Sequence, residues 1–291
     1  MTAHSAAPEL ARERADRSER ELAGARRRAD PSQPELWVCH LGVVEYREAL
    51  ALQERLRAAR QQELVPDVLL TLEHWPVYTR GRRSSPGELP MGEEWYLAQG
   101  IEIVQTDRGG KVTYHGPGQL VGYPIVRVDD VVAYVRLLER ALVAALAQEG
   151  VAARARPEDG PDYTGVWVED RKIASIGVHV ARGVTTHGFA INIENDLQPF
   201  TWVVPCGLEG VGMTSLIKET GRQPDDPGAA RTSEAGCRAG RAPEGQLRCF
   251  RRRAAFELAQ ALGRRQRLVS LARLEPVAGA AMEVVTAAPA S

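Results

Sequence analysis

The order of apolar and polar positions divides the chain into alternating strands and helices. Leu36-Trp37-Val38-Cys39-His40-Leu41 reads as a strand. Between Glu45 and Gln62, Tyr46, Ala49, Leu50, Leu52, Leu56 and Ala59 recur at helical spacing. Asp67 to Glu73 is a short apolar run that suits a buried strand, with His74 at its end. Ile101–Gln105 and Leu120–Val128 read as further strands. Asp129 or Asp130 can cap the helix that follows. Its apolar stripe is Val131, Val135, Leu138, Leu142 and Leu146, and Gly150 stops it. Gly165–Val168 and Lys172–Val180, joined through Glu169-Asp170-Arg171, predict a hairpin. Thr185–Ile193 continues the sheet, and Arg251–Leu262 suits one last amphipathic helix. The expected fold is α+β, with mixed sheets flanked by helices.

Composition sharpens the boundaries. Residues 1–34 are charged and alanine-rich, end in Pro31-Ser32-Gln33-Pro34, and are expected to form a disordered extension. Residues 35–275 of the 291 form the expected folded domain. Within it, 223–245 turns to proline, glycine, alanine and arginine and reads as a flexible insertion, while 276–291 reads as a weakly patterned tail. A net charge of −1 argues against a general nucleic-acid binder. No run of about 18 apolar residues predicts a membrane span. With no secretory signal in view, a cytoplasmic location is expected.

Candidate chemistry gathers in three blocks. The first is Arg108-Gly109-Gly110-Lys111-Val112-Thr113-Tyr114-His115-Gly116-Pro117-Gly118-Gln119. The second is Lys172-Ile173-Ala174-Ser175-Ile176-Gly177, followed by Thr186-His187-Gly188-Phe189-Ala190-Ile191-Asn192. The third is Pro205-Cys206-Gly207, a cysteine held in a bend rather than on a packing face. The four cysteines show no paired or metal-ligand spacing, and His-Glu-x-x-His is absent, so no metal site is expected. A reducing compartment keeps Cys206 as a free thiol.

Only three lysines occur, Lys111, Lys172 and Lys218, and two of them fall inside these blocks. An ammonium group favours the thiolate form of a nearby cysteine, so Cys206 and Lys172 make a workable nucleophile pair. The bland alternatives are a small buried hydrophobe for Cys206 and a solvated turn residue for Lys172. By strand alternation, Lys172 shares the face of Ala174, Ile176, Val178 and Val180, with Ser175, Gly177 and His179 on the other. The glycines let backbone approach a ligand, or merely turn the chain around a short strand. His74, His115 and His187 can orient a substrate or serve as structural histidines. Arg80, Arg82 and Arg83 form a basic loop, either solvated or a docking patch for an acidic partner.

In these blocks the sequence resembles the lipoate-biosynthesis octanoyltransferases, the lipoyl(octanoyl) transferases, across roughly Leu36 to Leu216. The resemblance implies a fold similar to the catalytic domain of biotin and lipoate protein ligases. It implies transfer of an octanoyl group from acyl carrier protein to a lysine of lipoyl domains. Those domains belong to 2-oxoacid dehydrogenase complexes and the glycine cleavage H protein. No cofactor is implied beyond the phosphopantetheine that the donor carries. In that family the cysteine of Pro-Cys-Gly carries the acyl thioester and the lysine lowers its pKa, which points to Cys206 and Lys172. Substrate contacts are implied for Arg108, Gly109, Gly110, Lys111, Val112, Thr113, Tyr114 and His115, for Ser175, Ile176 and Gly177, and for Gly188, Phe189 and Ala190. Three other readings stay open: an ATP-dependent ligase that activates a free acid, a lipoyl-domain binding protein without turnover, and a transferase that moves octanoyl between lipoyl-bearing proteins.

Overall fold

Successive residues of strand β2 (Asp67–His74) serve opposite faces of one sheet, because side chains alternate along a strand. Leu69 packs into one apolar cluster, while Val68, Leu70 and Leu72 pack into another. The computed structural model describes residues 32–203, 211–222 and 246–287. Cys206, the 223–245 insertion and residues 1–31 lie outside them. The chain divides after Pro34, and Glu35–Ser291 forms one compact unit.

In that unit the main sheet has seven strands in the order β10-β1-β2-β6-β9-β8-β7. They are β1 (Glu35–Val44), β2, β6 (Gln119–Ile125), β7 (Gly165–Val168), β8 (Arg171–Ala181), β9 (Val184–Asn192) and β10 (Arg265–Leu268). Strands β10, β1 and β2 run parallel, and the pairs from β2 to β7 are antiparallel. A second sheet of three strands joins β3 (Val77–Arg80) to β4 (Glu102–Gln105) and β5 (Thr113–His115). The fold is therefore α+β with mixed sheets, as the alternating pattern implies.

Helices cover both faces of the main sheet. On one side lie α1 (Tyr46–Gln61) and α6 (Leu271–Ala287), through Leu52, Leu56, Leu274 and Ala278. On the other lie α3 (Val131–Ala147) and α5 (Gln246–Ala261), through Leu138, Leu142, Phe250 and Leu258. Two short helices complete the described set, α2 (Glu93–Ala98) and α4 (Leu216–Thr220). Glu45 caps α1 by accepting from the backbone N–H groups of Arg47 and Glu48 at 2.8 and 2.9 Å. Asp130, not Asp129, caps α3 through Val132 and Ala133. Gly150 closes that helix region with φ at +81°, where a side chain would be strained.

Several sequence expectations need adjustment. Val131 is 42% exposed rather than part of the buried stripe of α3, because it sits in the first turn at the rim of a cavity. The helix α6 runs through the 275/276 boundary, and Ala278 is fully buried against the main sheet's apolar cluster. Strands β3 and β10 and helix α2 carry patterns too short or too charged for periodicity to reveal.

The parity of Lys172 is also reversed. Val166 pairs with Ala174 and the next residue, Trp167, pairs with Lys172, so Ile173 is an extra residue on β8. A β-bulge of this kind puts both Ile173 and Ala174 into the same core. Lys172 is thereby swung to the face of Ser175, whose partner across the ladder is Gly165.

Candidate active site

A cavity of about 350 Å³ opens between the first glycine block, β8, β9 and the start of α3. The first block reaches it because its loop is clamped on two sides. Arg82 and Arg83 donate backbone N–H groups to the carbonyls of Arg108 (2.9 Å) and Gly110 (3.0 Å), and Gly109 donates to Val178 of β8 (3.0 Å). Glycine is needed in this clamp. A β-carbon at Gly81 would lie 2.4 Å from the Gly110 oxygen, and one at Gly177 would lie 2.7 Å from the Gly109 oxygen. Arg108 is buried and folds its guanidinium back onto Thr79, donating to the carbonyl at 2.6 Å and to Oγ1 at 2.8 Å. The carboxylate of Glu88, itself buried, accepts from the N–H of Val112 at 3.0 Å and fixes the exit of the loop.

Arg108, Gly109, Gly110, Lys111, Val112, Thr113 and His115 all line the cavity. So do Lys172, Ser175, Ile176, Gly177, Gly188, Phe189 and Ala190. Tyr114 does not. It points to the other side of β5 and packs with Tyr78 and Phe200 in a separate aromatic cluster, as strand alternation requires of a residue between Thr113 and His115. Gly188 has no room for a side chain, since a β-carbon there would lie 2.3 Å from the Gly122 oxygen.

Lys172 is 2% exposed, although it follows a charged two-residue turn. Its backbone is tied to the chain beyond the cysteine block. Lys172 N–H donates to Gly212 at 2.9 Å, and Thr214 N–H donates to Lys172 at 3.0 Å. The chain that follows Cys206 is therefore anchored beside the lysine. Cys206 itself lies outside the described residues.

The cavity also holds residues that spacing did not single out as site residues. Tyr46 and Tyr123 line it from α1 and β6, and Val131, Val132, Val135 and Arg136 from α3. At the rim, Arg83 pairs with Asp162 at 3.0 Å, and Lys111 Nζ lies 3.9 Å from the same carboxylate. Arg80 pairs instead with Glu93 at 2.7 Å. His187, weighed in the sequence only as one of several histidines, lines the cavity with φ at +57°. Its Nε2 donates to Asp107 at 2.7 Å. That hydrogen bond, more than any other influence, holds the Asp107 carboxyl at about 2. Burial pushes the His187 imidazole down despite the carboxylate, so the contact is a hydrogen bond from a neutral ring. His115 is likewise held well below its usual range by burial, and its Nδ1 meets Gln119 Oε1 at 2.7 Å. Among the described residues, no cluster of histidine, cysteine, aspartate or glutamate could hold a metal ion, and no helix is long and apolar enough to cross a membrane.

The fold and this cavity define a class. Residues 45–231 match the family described as the lipoyl protein ligase A/B catalytic domain. Solved structures agree in architecture. Lipoate-protein ligase A bound with ATP aligns at a TM-score of 0.60 and 17% identity, covering 86% of this chain and 94% of that one. The bipartite lipoate protein ligase of Thermoplasma acidophilum aligns at 0.55 and 16%, covering 86% and 92%. At such low identity these carry the fold alone.

Sequence relatives narrow the class. The octanoyltransferase of Solibacter usitatus is 49% identical over 194 residues, covering 63% of this chain and 86% of the relative. That of Rubrobacter xylanophilus is 45% identical over 201 residues, covering 68% and 89%. That of Caldicellulosiruptor bescii is 45% identical over 188 residues, covering 63% and 82%. The chain belongs to the octanoyltransferases, acyltransferases built on the lipoyl protein ligase A/B catalytic domain.

Proposed function

We propose that this octanoyltransferase works by a two-step exchange through Cys206, with acyl carrier protein as donor and a lipoyl-domain lysine as acceptor. The observation that carries the reading is Lys172. It is a buried lysine lining the cavity, with its backbone bound to Gly212, six residues after the cysteine. Six residues span at most roughly 20 Å, so chain connectivity allows the thiol to reach the lysine.

In the first step the Cys206 thiol gives its proton to Lys172, and the thiolate attacks the thioester carbonyl of the octanoyl donor. A new carbon–sulfur bond forms. As the donor's bond breaks, Lys172 returns the proton to the departing pantetheine thiol. Backbone N–H groups of the glycine blocks stabilise the oxyanion between these events. In the second step the acceptor amine attacks the Cys206 thioester, and its surplus proton passes to Lys172 as the thiolate leaves. Exchange of a thioester for an amide runs downhill and needs no ATP. The reading places the reaction in the cytoplasm, where the thiol stays reduced.

Intact-protein mass after incubation with octanoyl-acyl carrier protein tests it. The wild type gains one octanoyl group and Cys206→Ser gains none. An undiminished adduct on Cys206→Ser removes that cysteine as nucleophile. A wild type that forms product only from ATP and free acid makes the protein a ligase instead.

A further inference from the structure

The geometry points to Trp167 and Gly165 as positioning residues that hold the Lys172 side chain over the cavity. This inference rests on the reading of Lys172 given above. Three observations meet at one strand pair. Trp167 stands directly across the ladder from Lys172, with the Nζ atom 5.3 Å from the ring centroid. That distance lies within the range at which an aromatic face attracts a cation. The ring is fully buried, and its Nε1 donates to the carbonyl of Tyr163 at 2.9 Å, so it cannot turn away.

Gly165 supplies the space. A β-carbon there would lie 2.8 Å from Lys172 Cε and 2.3 Å from the Ala174 oxygen, so the lysine stem occupies the volume a side chain would claim. Gly165 takes φ at +139°, a conformation that other residues avoid. Its N–H donates at 3.0 Å to Glu139, a fully buried carboxylate that Arg136 also engages at 2.6 Å. The bulge at Ile173 turns Lys172 onto this face, the missing side chain at 165 lets the stem pass, and the ring fixes its end.

Kinetics of octanoyl transfer by the full chain test the assignment, with the mass adduct measured in parallel. Fluorinated tryptophans placed at position 167 keep the ring's shape while draining its negative face. Across one, two and three fluorines, kcat falls stepwise, by about tenfold in total, with KM for octanoyl-acyl carrier protein unchanged. Trp167→Phe retains most of kcat, and Trp167→Met, apolar but without a ring, loses it. A flat response to fluorination in enzyme that forms the adduct overturns this inference and leaves the transfer reading standing. A wild type that forms no adduct sinks the transfer reading, and the inference with it.

Discussion

The ring of Phe189 lies where a side chain on Gly122 would stand: a β-carbon at position 122 would be 2.2 Å from Phe189 Cζ. The two residues face each other across β6 and β9, and Phe189 also lines the cavity. The rest of the ring is set in the packed core, so the cavity is the compliant side. On the reading that the octanoyl chain lies in this cavity as in a slot, Gly122→Ala is expected to push the ring inward and shorten that slot. Each excluded methylene forfeits about 0.8 kcal/mol, roughly fourfold in kcat/KM. Competition between hexanoyl and octanoyl donors reads this as a shift toward the shorter chain. An unchanged ratio in a folded variant removes Phe189 as a wall of the slot.

Tyr114 provides a contrast, since the motif includes it and the cavity does not. Tyr114→Phe is expected to leave octanoyl transfer within about twofold. Tyr114→Ala, by removing a ring packed against Tyr78 and Phe200, should cost about 3–5 kcal/mol of stability. Transfer rates and thermal melts of the two variants separate these effects. A large loss of kcat in the Phe variant, with its melting temperature kept, would return the hydroxyl to the chemistry.

Acid should destabilise the protein well before its carboxylates titrate. His74 is fully buried, and burial pushes its imidazole from 6.5 down to about 4. Its Nε2 lies 2.7 Å from the Tyr123 hydroxyl. The unfolded chain takes up this proton below about pH 6.5, whereas the native state refuses it until about pH 4. Stability therefore drops as pH falls through that window, approaching about 3 kcal/mol for this one residue. His40, pushed down to about 4 chiefly by burial, acts in the same direction. Urea titrations at pH 7, 5.5 and 4.5 measure the slope, and His74→Phe should flatten it. An identical slope in that variant would exclude His74 as the source.

Asp67 ties three elements together. Its carboxylate is 2% exposed and accepts from Arg60 of α1 at 2.8 Å and from Arg264, just before β10, at 2.9 Å. Replacement by Asn strips the charge from a site built around two guanidinium groups, at a cost of about 3 kcal/mol. A double-mutant cycle with Arg60→Ala should show strong coupling. Additive losses would mean that the guanidinium is satisfied by water.

What the sequence disclosed follows the physics of each signal. The buried strands and the long helices announced themselves because their apolar periods are sustained, as in Val68 to Leu72 and Leu138 to Leu146. The cavity lining, Tyr114 apart, was legible through the family resemblance, while the glycines by themselves left close approach and plain turns equally open. Asp162, Arg136 and Tyr46 were not legible, because only the fold brings their separate segments to one rim. The face of Lys172 was misread for a different reason. Alternation presumes an unbroken ladder, and one extra residue at Ile173 breaks it without any glycine or proline to announce it.

That extra residue lets one short stretch both fill the core and present an amine on the other face. Lys172 acts by its identity, whereas Ile173 adds a second core side chain outside the regular ladder. Deleting Ile173 would restore regular pleating with Trp167 still opposite Lys172, so the amine would keep its face while the core lost one side chain.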